Sequence, residues 1–232
     1  MADSMGSITS VAIIPARGNS KGITGKNIVD FGGKPLFMWT VDAALESGVF
    51  ERVVVSTENK KIKEIVRAYR NDVVDIVDRP EYLSQDHVQL SEVVLHAYRH
   101  MEYEWAWHPT TLCLLQATSP LRTGAHIVNA MRQYRGRGTL FSAYIDKRYH
   151  WSVADRVEPV QHNPAMRLGR QWEPSQIYTE NGAIYIFPAK RLSLECTVRL
   201  APFDVYIMPE EDGFEIDTQW ELEIARLRLE KH

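Results

Sequence analysis

The chain has 232 residues, of which 44% are hydrophobic and 25% charged, and these are ordinary values for one globular domain. The formal net charge of −3 argues against nonspecific binding of nucleic acid, because such binding needs a basic surface. Two cysteines, Cys113 and Cys196, are too few for a disulfide framework and indicate a reducing compartment. No apolar run approaches the roughly 18 residues of a membrane span, so the sequence predicts a soluble, cytoplasmic protein with no membrane partner.

Short β-branched runs alternate along the chain with longer segments of helical period. The first five predicted strands are residues 11–14, 53–56, 73–77, 111–116 and 140–144. The predicted helices between them are residues 36–46, 60–69, 91–100 and 125–134. Such alternation, with nearly continuous apolar strands, predicts a mostly parallel sheet covered by helices on both faces. Ligands of such sheets bind beyond the carboxyl ends of the strands, so we expect the site just after residues 14, 56 and 116.

The pattern changes after residue 146. Residues 146–176 are polar, with scattered Trp, Arg, His and Pro, and they have no helical period. We interpret this segment as an insertion in a single domain that spans residues 1–232, and we expect it to meet a second subunit. Two further strands and a closing helix are predicted at 183–187, 205–208 and 219–230. Thr218 and Glu221 have the spacing of a capping box for that helix.

The first strand leads directly into a loop, residues 17–27, that is rich in glycine and positive charge. Glycines let backbone N–H groups approach phosphate oxygens, and lysine and arginine neutralise the charge of the phosphates. The loop is not a Walker A motif, because its first glycine is missing and Asn27 stands where Ser or Thr would bind magnesium. The composition therefore favours a polyphosphate site, and an ordinary surface loop is the alternative.

Three further segments carry polar groups next to predicted strands. Residues 116–122 follow the fourth strand, where they suit either ligand contacts or a structural turn around Pro120. Glu215 and Asp217 are two residues apart in an extended segment, so both carboxylates can face one ion. The alternative is that Asp217 only favours the helix N-terminus while Glu215 is solvated. Residues 180–185 are predicted to form a turn that leads into a strand, because Asn-Gly is a turn signal.

Taken together, these segments resemble the acylneuraminate cytidylyltransferases, also called CMP-sialic acid synthetases. The first loop has that family's pattern Arg-x-x-Ser-Lys-x-x-x-x-Lys-Asn at Arg17, Ser20, Lys21, Lys26 and Asn27. Other family segments occur in order at residues 33–36, 54–57, 79–81, 115–122, 181–185 and 215–218. Each motif is weak alone, but seven in register over nearly the whole chain are specific.

The resemblance implies a Rossmann-like α/β domain whose segment 146–176 is a protruding lobe that makes a homodimer. It implies a reaction in which the anomeric hydroxyl of a nonulosonic acid attacks the α-phosphate of CTP, and pyrophosphate leaves with Mg²⁺. It assigns catalytic roles to Lys26, Arg17 and Asp217. The nucleotide-binding positions are Arg17, Ser20, Lys21, Lys26 and Asn27, with Arg79 near the cytosine. The sugar contacts are Gln116, Asn181, Tyr185 and Arg170, the last at the sugar carboxylate, and the metal ligands are Asp217 and Glu215.

Three departures from the family pattern leave alternatives open. Glu215 stands where the family usually has aspartate, Leu90 stands where a hydroxyl residue often helps to bind the nucleotide, and residues 147–151 differ from the sugar-lobe pattern. The acceptor is therefore sialic acid or another nonulosonic acid, such as legionaminic, pseudaminic or ketodeoxynonulosonic acid. A different nucleotide and a non-catalytic nucleotide-sugar binder are the remaining alternatives.

Overall fold

The computed structural model describes residues 10–69, 72–160 and 177–229. In chain order the strands are β1 (Ser10–Pro15), β2 (Asp30–Phe31), β3 (Lys34–Pro35), β4 (Arg52–Thr57), β5 (Val74–Asp78), β6 (Thr111–Leu114), β7 (Thr139–Asp146), β8 (His150–Val153), β9 (Val157–Val160), β10 (Ile177–Pro188) and β11 (Phe203–Ile207). The α-helices are α1 (Leu36–Ser47), α2 (Lys60–Tyr69), α3 (Leu90–Glu104), α4 (Gly124–Gln133), α5 (Ala189–Glu195) and α6 (Gln219–Leu229). Short 3₁₀ helices lie at Lys26–Ile28 and Glu81–Ser84.

Seven strands form the central sheet, in the order β11-β7-β10-β6-β1-β4-β5. The strand β1 is parallel to β4 and β6, β4 is parallel to β5, and β7 is parallel to β11. The strand β10 is antiparallel to both of its neighbours, β6 and β7. The predicted mostly parallel α/β sheet is therefore confirmed. The pairs β2–β3 and β8–β9 form separate two-stranded hairpins.

Apolar side chains cover both faces of the sheet. On β1, Ala12 and Ile14 pack with residues of α1, α2 and α4, whereas Val11 and Ile13 pack with residues of α3 and α5. All four β1 side chains are completely buried. This two-sided burial explains why β1 reads as a continuous apolar run rather than an alternating one.

The chain order creates a crevice beside β1. From β1 the chain crosses to β4 and then β5 on one side, and it returns through α3 to β6 on the other side of β1. The loops that follow β1, β4 and β6 therefore diverge at the carboxyl edge of the sheet. Such a reversal of strand order is where open α/β sheets bind ligands.

The structure corrects one local prediction and adds short elements, among them the hairpin β2–β3 and the two 3₁₀ helices. Residues 180–182 do not form a turn ahead of a strand. They lie inside β10, where the pairing with β7 shifts register between Glu180 and Tyr185 and Gly182 has φ of 70°. The short helix α5 and the hairpin β8–β9 were not predicted. Within the described ranges, no helix is both long and apolar enough to span a membrane.

Candidate functional site

A cleft of about 260 Å³ lies at the carboxyl edge of the sheet, where the loops after β1, β5 and β6 meet the segment that carries Glu215 and Asp217. The site was also expected just after residue 56, but Glu58 and Asn59, which follow β4, do not line the cleft. Most of the site residues predicted from sequence line this cleft, although they come from widely separated segments. The predicted residues that line it are Arg17, Ser20, Lys26, Asn27, Arg79, Gln116, Glu215 and Asp217. Leu90 lines it too, so an apolar residue does stand at the position where the family pattern has a hydroxyl.

Arg17 and Lys21 lie at the start of the predicted phosphate loop, residues 17–27, and share one carboxylate. The Arg17 guanidinium donates to Oδ1 of Asp86 at 2.9 Å, and Nζ of Lys21 lies 3.0 Å from Oδ2 of the same residue. The hydrogen bonds from Lys21 and Arg17 hold the pKa of Asp86 below its usual range. Lys21 does not line the cleft itself and reaches it through Asp86, which does.

Lys26 lies deeper, in the 3₁₀ helix, and is only 8% exposed. Its ammonium donates to the backbone carbonyl of Ile216 at 2.9 Å and to Oδ1 of Asp217 at 2.7 Å. A buried ammonium needs such partners, because an unpaired charge is costly to remove from water. Lys26 therefore joins the phosphate loop to the segment that carries the two predicted metal ligands.

Asn27 joins the two ends of the predicted phosphate loop. Its Nδ2 donates to the carbonyl oxygen of Arg17 at 2.7 Å, which links the two ends of the predicted phosphate loop. The side chain is buried, and its Oδ1 has no hydrogen-bond partner in the part of the chain that the structure describes. The amide thus acts first as a structural tie for the loop, and it retains one acceptor.

Arg79 is 4% exposed and lines the cleft from the end of β5. Its Nη2 donates at 2.7 Å to Oε2 of Glu58, a residue that directly follows β4. The same carboxylate accepts from the backbone N–H of Gly18 at 2.6 Å and from the hydroxyl of Ser84 at 2.8 Å. The Nε of Arg79 has no hydrogen-bond partner among the described residues.

The two predicted metal ligands both line the cleft, and Asp217 contacts the loop directly through Lys26. The hydroxyl of Thr118 donates to Oε1 of Glu215 at 3.1 Å. Burial raises the pKa of Glu215, and the nearby charge of Asp217 raises it further, against smaller opposing effects of Thr118 and Lys26. Two carboxylates that repel each other in a cleft are a suitable donor set for a divalent cation.

The donor set is small. Among the described residues there is no group of three or more His, Cys, Asp and Glu side chains placed to hold a metal ion. Mg²⁺ is usually bound by one or two carboxylates together with water and substrate phosphates, so Glu215 and Asp217 fit this ion without a third protein ligand. They do not form a site for an ion that needs a full protein cage.

The loop 116–122 is supported from inside by Arg122, which is 2% exposed. Its Nη1 donates to the carbonyl of Gln116 at 3.3 Å and to the carbonyl of Ala183 at 3.0 Å. Burial lowers the pKa of Arg122 to about 10, which leaves the guanidinium charged at neutral pH. Arg122 therefore fixes the backbone of Gln116 against β10.

The predicted sugar contacts are only partly brought together. A Cβ on Gly182 would lie 2.8 Å from Nε2 of Gln116, so the bulge that contains Asn181 abuts the cleft at Gln116. Asn181 itself is buried and accepts from Ser142 at 2.6 Å. The hydroxyl of Tyr185 donates to Glu180 at 2.5 Å, and neither residue lines the cleft. Arg170 lies outside the described residues.

The structure also brings in side chains that the sequence interpretation missed, namely Glu58, Asp86 and Thr118. Glu58 directly follows β4 and Thr118 belongs to the loop after β6, so the strand-end rule pointed to both segments without naming these residues. Asp86 follows the 3₁₀ helix at Glu81–Ser84 and lies beside no strand end. No local signal marks it, because its role depends on tertiary contacts.

Comparison with known proteins agrees with this geometry. The family model described as cytidylyltransferase matches residues 11–227. The chain belongs to the cytidylyltransferase family. An N-acylneuraminate cytidylyltransferase of Escherichia coli O18:K1:H7 is 30% identical over 225 residues, which are 93% of this chain and 51% of the relative. A pseudaminic acid cytidylyltransferase of Campylobacter jejuni is 27% identical over 225 residues and is covered to 95% of its length.

The chain spans about half of the E. coli relative and nearly all of the C. jejuni one. Solved structures share its fold. A 4-diphosphocytidyl-2C-methyl-D-erythritol synthase from Anaerococcus prevotii superposes with a TM-score of 0.71 at 13% identity, covering 96% of this chain and 98% of the other. A CMP:2-keto-3-deoxy-manno-octonic acid synthetase complexed with CTP has a TM-score of 0.66 at 16% identity, covering 96% and 99%.

Proposed function

We propose that the chain transfers CMP from CTP to a nonulosonic acid and releases pyrophosphate. The observation that carries this proposal is the cleft itself, in which the phosphate loop, Arg79 and the pair Glu215 and Asp217 meet at the carboxyl edge of the sheet. Arginine and lysine side chains together with two carboxylates in one cleft suit a metal-bound triphosphate. Family membership and relatives named for CMP transfer to nine-carbon acids support the same conclusion.

The chemistry asks for positioning and charge neutralisation rather than a nucleophilic side chain. In the proposed reaction the anomeric oxygen of the sugar forms a bond to the α-phosphorus, and the bond from that phosphorus to the pyrophosphate oxygen breaks. Arg17 and Lys26 would neutralise charge on the phosphates, with Ser20, Lys21 and Asn27 shaping the loop around them. Arg79 would contact the base.

We propose Mg²⁺ as the metal, held by Asp217 and Glu215, because these two carboxylates fit its preference for few protein oxygens. When bound, the ion supplies positive charge beside the leaving pyrophosphate. The chain's own part is to hold the two carboxylates in place. On one side, Lys26 anchors the segment through its hydrogen bond to the backbone carbonyl of Ile216. On the other side, the hydroxyl of Thr118 holds Glu215.

The acceptor is proposed as a class rather than as one sugar. Relatives named for N-acylneuraminate and for pseudaminic acid are similar at 30% and 27% identity, which does not separate the two. The proposed sugar side comprises Gln116, Asn181 and Tyr185, with Arg170 for the carboxylate. A carboxylate-bearing substrate needs such a cation, because arginine provides two parallel hydrogen bonds.

The test is pyrophosphate release, measured with CTP, ATP, GTP and UTP against a panel of nonulosonic acids, with and without Mg²⁺. We expect release only with CTP, a nonulosonic acid and a divalent cation together. Lys26→Ala should remain folded and lose about a hundredfold or more in kcat/KM, which separates catalysis by this cleft from a contaminating activity.

Equal turnover with all four nucleotides would contradict the proposal. CTP binding without release for any sugar would instead favour the non-catalytic nucleotide-sugar binder.

A further inference from the structure

Glu58 forms a polar junction beside the cleft, although it is not among the residues that line it. One carboxylate oxygen accepts the Gly18 N–H of the phosphate loop at 2.6 Å. The other accepts from Arg79 at 2.7 Å and from Ser84 at 2.8 Å. The loop after β1, the end of β5 and the 3₁₀ helix at Glu81–Ser84 thus meet on a single side chain.

The packing around this junction leaves little freedom. A Cβ on Gly18 would lie 2.1 Å from Nδ2 of Asn59, so the phosphate loop touches the turn that carries Glu58. The Arg79 side chain is 3% exposed and that of Glu58 is 18% exposed. Burial acts to raise the pKa of Glu58, but the hydrogen bonds from Arg79, Gly18 and Ser84 outweigh it and lower the pKa. The carboxylate is therefore ionised at neutral pH.

We propose that Glu58 is a positioning residue that fixes the phosphate loop and Arg79 at one spacing, so that both can contact a single nucleotide. The inference rests on the proposed function in one respect, namely that the occupant of the cleft is CTP. Hydrogen bonds to charged groups are stronger than those between neutral groups, so three of them on one carboxylate can hold a glycine-rich loop in one conformation.

An electrostatic role would have the opposite consequence. If Glu58 only neutralised Arg79, it would repel a triphosphate, and removing its charge would tighten CTP binding. A positioning role requires that removing the charge weakens binding, because the Gly18 N–H and the Arg79 guanidinium lose their common anchor. The sign of the change therefore separates the two roles.

The experiment measures CTP binding by calorimetry in the absence of any sugar. Glu58→Gln removes the charge at nearly the same size, and Glu58→Asp keeps the charge but withdraws the oxygens by one methylene. Both should weaken CTP binding, Glu58→Gln by about tenfold or more. Glu64→Gln, an exposed change of the same kind on α2, is the matched control and should bind as the unaltered chain does.

Steady-state kinetics then add a readout that a loss of folded protein would not produce. We expect both Glu58 variants to raise KM for CTP and to leave KM for the sugar within about twofold, while their melting curves stay cooperative. Tighter CTP binding by Glu58→Gln, or unchanged binding by Glu58→Asp, would overturn the positioning role. If the unaltered chain bound no CTP, both the proposed function and the role of Glu58 would be wrong. If the unaltered chain and both Glu58 variants bound CTP equally well, only the role of Glu58 would be wrong.

Discussion

The cations that face the cleft are each already engaged by an oxygen of the chain. Some of these pairs are exposed and others are buried, and this difference decides which of them a triphosphate can replace. The pairs are Arg17 and Lys21 with Asp86, Lys26 with Asp217, and Arg79 with Glu58. Exposed ion pairs contribute little to stability, so phosphate oxygens can displace Asp86 at little cost. Glu58 is held by three donors and is expected to stay in place.

Glu215 is expected to oppose stability while it serves function. Its pKa is raised by burial and by Asp217, so the ionised form is disfavoured in the fold. A carboxyl group whose pKa is raised by folding stabilises the fold only at pH values at which it is protonated. This stabilisation is lost as the pH rises through the pKa of the group in the folded chain. Glu215→Gln should therefore raise the melting temperature at pH 7 without metal, because the hydrogen bond from Thr118 can be kept and the charge is gone.

The pH dependence of that effect is its control. As the pH falls through the folded pKa of Glu215, the unaltered chain becomes protonated there, and the difference in melting temperature should shrink. The other groups that face Glu215 are Asp217, Lys26, Thr118 and Glu221, and they are unaltered in both proteins. A lower melting temperature for Glu215→Gln at pH 7 would show that the charge is stabilised rather than strained.

Asp217 should be the principal protein ligand of the metal. Asp217→Asn should raise the Mg²⁺ concentration needed for half-maximal turnover and lower kcat by about tenfold or more, and Glu215→Gln should do so less. The longer glutamate side chain suits contact through water, which tolerates a neutral acceptor. The measurement is a Mg²⁺ titration of pyrophosphate release, with melting curves to account for the lost partner of Lys26. A larger effect of Glu215→Gln would reverse the assignment.

Among the secondary-structure elements, the start of α6 holds in place the segment that carries the two proposed metal ligands. Oε2 of Glu221 accepts from the backbone N–H groups of Asp217 at 2.8 Å and Thr218 at 2.7 Å. The hydroxyl of Thr218 accepts from the N–H of Glu221 at 3.3 Å, which completes the capping box expected from the sequence. The cap therefore fixes the backbone of Asp217 as well as the helix.

Removing this cap should cost both stability and metal affinity. Thr218→Ala is expected to lower the free energy of unfolding by about 1 kcal/mol, which is a shift of about 2–4 °C in melting temperature at this chain length. Thr218→Ser keeps the hydroxyl and should be nearly neutral, so it is the matched control. Thermal unfolding and the Mg²⁺ titration of turnover check the two effects, and equal behaviour of both variants would contradict the capping role.

The regular elements could be predicted from sequence because their burial is periodic. The predicted strands and helices reappear in the structure, with helix 91–100 extended to Leu90–Glu104. The bulge in β10 was read as a turn, since Asn181-Gly182 carries the same local signal in both settings. Arg17, Arg79 and Gln116 closely follow strands and line the cleft because those strand ends converge there. Glu58 also follows a strand, but its role, like that of Asp86, depends on contacts between distant segments.

In the whole molecule, segment 146–176 is described as far as residue 160, and the part beyond Asp146 leaves the central sheet. Its described portion contains the hairpin β8–β9, which pairs within itself rather than with the seven-stranded sheet. Val153 and Val157 are directly opposite each other in this hairpin and are 76% and 61% exposed. An isolated two-stranded hairpin is marginally stable in water, so a partner surface would add what the hairpin lacks.

We predict that the chain is a homodimer through this hairpin. Light scattering should give about twice the chain mass of 26.7 kDa. Exposed apolar residues at an interface carry binding energy that charged ones do not, so Val153→Lys combined with Val157→Glu should shift the protein towards the monomer by about tenfold or more in dissociation constant. The new side chains are opposite each other and of opposite charge, which favours the hairpin itself.

The control is Leu194→Lys, which removes an exposed apolar residue on α5 instead and should leave the mass unchanged. This hairpin is not the interface if light scattering gives the monomer mass for the unaltered chain. The same holds if the chain with both substitutions keeps the dimer mass.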